Sequence, residues 1–117
     1  DVPSFDQHTV KPWFAGRVDF SPPVTDFSAR GFPLVGGRLD YAGGRTVAVA
    51  VYKRGQHIVN LFMWPAPEQA LPKTDSSRGY NTVHWAQDGM TFWLVSDLNL
   101  AELRAFAELL RTGQSSP

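Results

Sequence analysis

The chain has 117 residues, 43% hydrophobic and 13% aromatic, which suits one packed domain of common size. Eleven basic residues balance eleven acidic ones, so no net charge favours a nucleic acid, and 19% charged residues is too few for a solvating disordered segment. The absence of cysteine excludes disulfides, thiolate metal sites and a cysteine nucleophile, and no apolar run approaches the ~18 residues of a membrane span.

Residues 1–32 read as an irregular, proline-rich lead-in. Thr9 is placed to cap a helical turn that tolerates Pro12 near its start, and Trp13 and Phe14 follow. Ser21-Pro22-Pro23 breaks any continuing structure. Thr25 or Asp26 then caps a second short turn from Phe27 to Arg30, which Gly31 ends in a left-handed conformation.

Pro33 to Tyr41 is the first expected strand, with Gly36-Gly37 marking a bulge or the close approach of another segment. A tight turn through Gly43-Gly44 leads to the central hairpin, Thr46 to Tyr52 and Ile58 to Trp64, around the polar loop from Lys53 to His57. Val47, Val49 and Val51 alternate with Ala48, Ala50 and Tyr52, so both faces are apolar and the strand belongs inside a sheet. Pro65 to Gly79, with three prolines, reads as a long exposed loop. Asp88-Gly89 between two apolar runs predicts a two-residue hairpin that pairs Trp85 with Phe92 and His84 with Trp93.

Leu100 to Thr112 carries apolar residues at helical spacing: Leu100, Leu103, Phe106, Ala107 and Leu110. Asn99 is the expected N-cap, with Glu102 three residues on, and Gly113 the stop. Arg104 and Glu108 are spaced for an i,i+4 pair. The prediction is a single α+β domain: lead-in 1–32, sheet 33–98, helix 99–113. The sheet is a five-stranded antiparallel meander, with the helix over one face and the lead-in over an edge or the other face.

His8, His57 and His84 are the histidines, and His84 with Asp97 or Ser96 is the one nucleophile relay worth weighing for a small hydrolase or metal-dependent enzyme. No Gly-x-Ser-x-Gly elbow and no His-Glu-x-x-His supports it. No His-x-His spacing offers a metal site, and the glycine pairs lack the lysine and helix start of a phosphate loop. Neither a catalytic residue nor a cofactor is expected. His8, Lys11, Trp13, Phe14 and His84 are the candidates for contact with a partner or ligand, with docking on the sheet as the other role open to the two lead-in aromatics. Lys53-Arg54, at a hairpin tip, is expected to be solvated.

The run Asp6-Gln7-His8-Thr9-Val10-Lys11-Pro12-Trp13-Phe14-Ala15-Gly16-Arg17-Val18-Asp19-Phe20-Ser21-Pro22-Pro23-Val24 resembles the outer part of a family of bacterial transmembrane anti-sigma factors. The likeness continues through Gly31 to Tyr41, His57 to Pro65, Gly79-Tyr80-Asn81, His84-Trp85 and Trp93 to Leu98. It leaves out residues 66–78. The resemblance implies a cytoplasmic segment that holds an extracytoplasmic-function sigma factor inactive, then one membrane helix, then this domain on the periplasmic face of the inner membrane. Such a domain is sensory and regulatory, without catalysis, and self-association as a homodimer is one of its options. The sigma factor would be bound only through the segment outside this chain. A start at Asp1 rather than Met agrees with a piece cut from that longer protein.

Overall fold

The β-branched and aromatic runs form a single antiparallel sheet in the structure, a computed structural model that describes residues 2–3, 14, 17–18 and 20–113. Its strands are β1 (Val2–Pro3), β2 (Leu34–Ala42), β3 (Arg45–Arg54), β4 (His57–Pro65), β5 (Ala70–Ser77), β6 (Tyr80–Gln87) and β7 (Met90–Ser96). They lie in the order β1-β2-β3-β4-β7-β6-β5. Helix α1 (Leu100–Thr112) packs across β6 and β7. The α+β class with an antiparallel sheet and C-terminal helix is as the sequence predicts.

Two expectations are corrected. The segment read as an exposed loop contains β5, an edge strand whose residues are exposed except for half-buried Pro72. Its hydrophobic signal is weak because it buries almost nothing, and Pro72 is tolerated because it sits at an irregularity between Ala70 and Lys73 on an edge. The turn into β6 is made by Arg78 and Gly79, both at positive φ. The strand order is also not a simple meander, since β4 pairs with β7 rather than with the strand that follows it in the chain. The connection 66–69 crosses the end of the β6–β7 hairpin, and the Ala66 N–H donates to the Gly89 carbonyl at 2.9 Å. Strands β4 to β7 thus form a Greek key. This order sets Leu61 beside Leu94 and Met63 beside Phe92 in the interior, and leaves the polar strand at the rim.

The local readings fare better. Asp88 and Gly89 both take positive φ, and the register pairs His84 with Trp93 and Trp85 with Phe92. Gly36 sits at an irregularity in β2, and Pro3 pairs with it across the strand edge. Val47, Ala48, Val49 and Ala50 are all buried, as an interior strand requires.

Phe106 of α1 is the centre of the core. Its ring stacks on Phe32 at 4.1 Å between centroids and meets Phe27 and Tyr52 edge-on at 5.6 and 5.0 Å. Burying each such ring contributes roughly 1.5–3 kcal/mol. Phe14, Val24 and Phe27 join the same cluster, so these lead-in residues pack beneath the helix, while Val2–Pro3 covers the β2 edge. Asp26 organises the turn before β2 by accepting from the Ser28 and Leu34 N–H groups at 3.2 and 2.9 Å. Gly31 closes that turn at φ 86°, where any Cβ would land on the Arg54 guanidinium. In α1 the expected Arg104–Glu108 pair is replaced by one between Glu108 and Arg111.

Candidate functional site: the outer face of the sheet

Alternation along each strand sends every second side chain away from α1. The cross-strand register lines these up in rows. One row runs Arg38, Val49, Phe62, Trp93, His84, Lys73 across all six long strands. At about 4.8 Å per strand it spans roughly 24 Å. The next row runs Gly36, Val51, Asn60, Val95, Thr82, Asp75. The sheet's outer face therefore carries an aromatic and aliphatic row with basic residues at both ends, buried at Val49 and exposed at Trp93.

Two contacts fix its geometry. The His84 and Trp93 rings stack 4.2 Å apart and 8° from parallel. At the other end Arg38 donates to the Asn60 side-chain oxygen at 2.9 Å and lies 5.8 Å from the Phe62 ring centre. Trp93 is 37% exposed and Ile58 46%, and both face outward together with Tyr80. Contiguous exposed apolar groups rimmed by polar ones mark contact surfaces.

The sequence candidates fall unevenly on this picture. His84 lies in the strip, half-buried against Trp93. Phe14 is fully buried in the core and offers no surface, which gives it the docking role. His8, Lys11 and Trp13, with the turn expected at Thr9 and Pro12, lie outside the described residues. Ser96 faces the helix side, opposite to His84. Its hydroxyl donates to the Ile58 carbonyl at 2.7 Å and accepts from the Leu98 N–H at 3.0 Å. Asp97 pairs with His57 at 2.8 Å. The structure does not bring His84, Ser96 and Asp97 together.

Arg54, expected to be solvated, and His57, at the end of the polar loop, are both engaged. Arg54 donates to Glu102 at 2.9 Å, and its guanidinium lies 5.0 Å from the Phe32 ring centre. Nothing local in the sequence marks either pair, because each joins a hairpin tip to a segment about forty residues away or more. Among the described residues no group of three metal-ligating side chains occurs. A cleft of about 380 Å³ opens at the far end of α1, with Phe27, Leu61 and Phe92 among its walls and Gln87, Asp88 and Arg111 at its polar side.

No family model, no curated protein and no solved structure matches the chain. Among the described residues no helix is long and apolar enough to cross a membrane.

Proposed function

We propose that this chain is a recognition domain without catalytic machinery, serving as the outer, periplasmic part of a membrane-bound anti-sigma factor. Support for the regulatory identity is the resemblance of residues 6–24, 31–41, 57–65, 79–81, 84–85 and 93–98 to that family. Support for recognition is the exposed Trp93 ring stacked on His84, since aromatic anchors of this kind carry most of an interface's binding energy. In this reading an envelope signal or partner protein engages the outer face. The change passes through a single membrane helix to a cytoplasmic segment that holds an extracytoplasmic-function sigma factor. The sigma factor is touched by that segment and not by these 117 residues.

The test is a sigma-dependent transcription reporter in cells carrying the whole gene. Replacing Trp93 and Ile58 by serine should alter the reporter's response to envelope stress while the protein's abundance stays unchanged. A response that persists unaltered when residues 1–117 are deleted would overturn the regulatory reading.

A further inference from the structure

An antiparallel sheet that ends in an edge strand exposes a ladder of unpaired N–H and C=O groups, to which a second chain can add. Which groups point outward follows from the hairpins. Residues flanking a two-residue turn bond to each other, so their immediate neighbours direct their backbone groups the other way. Ser77 and Tyr80 flank the Arg78-Gly79 turn, which leaves Ser76 and Thr74 of β5 facing outward. Ala42 and Arg45 flank the Gly43-Gly44 turn, which leaves Tyr41 of β2 facing outward beyond the short reach of β1.

Both outward N–H groups nearest the turns are already taken by a neighbouring side chain. Asp75 Oδ1 accepts from the Ser76 N–H at 2.8 Å, and Asp40 Oδ1 accepts from the Tyr41 N–H at 2.9 Å. The same arrangement thus closes the sheet at opposite sides. On β5 a further donor is missing because Pro72 has no N–H, and the strand is irregular between Ala70 and Lys73. Two copies pairing antiparallel about Thr74 would set Ser76 opposite Pro72 of the other copy. A full donor set would give three residue pairs and six bonds. Pro72 removes two, Asp75 engages the donors of two more, and two remain.

We propose that the β5 edge is a guarded interface for a second copy of this chain, held shut by Asp75 and Pro72 together. This inference is independent of the regulatory reading. The guard keeps the domain from associating through its backbone at this edge.

The experiment compares wild type with Asp75→Ala and with the double variant Pro72→Thr/Asp75→Ala by light scattering after size exclusion. Amide hydrogen exchange at Thr74 and Ser76 is followed alongside. Asp75 is exposed and Pro72 half-buried, and near-ultraviolet circular dichroism checks that each variant keeps its fold. Wild type should run as a monomer, with fast exchange at Thr74. The double variant should double its mass in a concentration-dependent way, with slowed exchange at Thr74 and Ser76. A folded double variant that stays monomeric with unchanged exchange would overturn the proposal. So would a wild-type dimer with Thr74 already protected.

Discussion

The Tyr52 hydroxyl lies inside the core and donates to the Thr25 carbonyl at 2.8 Å, tying the lead-in to β3. Burial holds the phenol well above its ordinary pKa of 10.0, and the nearby Asp26 carboxylate acts in the same direction. Below that ordinary value both folded and unfolded chains keep the proton, and the group adds no pH dependence. Above it the unfolded chain loses the proton while the folded one retains it, so stability falls as pH rises. Tyr52→Phe should therefore have two effects of opposite use. At neutral pH the loss of the hydrogen bond should cost about 1 kcal/mol. At alkaline pH the steep fall in stability should flatten. Urea melts of both proteins at pH 7 and again above 10 check this, and a parallel alkaline decline in the two would show that Tyr52 is not its source.

Helix α1 begins where several separate signals agree. The Asn99 side chain accepts from the Glu102 N–H at 2.9 Å, the Glu102 carboxylate turns back to the Asn99 amide, and Arg54 reaches in from β3. Hydrogen bonding to Arg54, then to Asn99, lowers the Glu102 pKa below its ordinary 4.5. A lowered folded value means the contribution is present at neutral pH and is lost as pH falls through the acid range below that value. Glu102→Gln should flatten the acid limb of the stability curve, and Asn99→Ala should cost about 1 kcal/mol at pH 7. Denaturant midpoints measured from pH 7 down to the acid transition decide between this and a Glu102 that merely decorates the surface. The bounds of this helix, and the pairing of Trp85 and His84 across the Asp88-Gly89 turn, were legible in the sequence because every residue that determines them is within a few positions. Strand β5 was not, because Thr74 to Ser77 lack the apolar alternation that marks a half-buried strand. The pairing of β4 with β7 was hidden for a different reason. It depends on which apolar strands share the interior, and no local residue encodes that choice. The same limit hid the His57–Asp97 and Arg54–Glu102 pairs, whereas His84 was legible as a surface candidate through its register with Trp93.

At the scale of the whole molecule the sheet divides the chain into two kinds of aromatic residue. On the helix side Phe106 meets Phe27, Phe32 and Tyr52 with no exposed surface. On the outer side Trp93 meets His84 and retains 37% exposure. Truncating the first leaves a cavity among three rings, and Phe→Ala changes of this kind cost about 3–5 kcal/mol. Truncating the second removes its cross-strand contacts with His84 and Phe62, each worth roughly 0.2–1 kcal/mol, and opens no enclosed void. Domains of this size hold only about 5–15 kcal/mol in total, so the first change takes a large fraction of it and the second does not. Phe106→Ala should therefore lower the denaturant midpoint severely, while Trp93→Ala should shift it slightly with an unchanged slope. That asymmetry is what a recognition face needs: its residues are free to answer to a partner because the fold does not depend on them. If Trp93→Ala destabilises as much as Phe106→Ala, the outer strip is a second core rather than a contact surface, and the recognition reading loses its site.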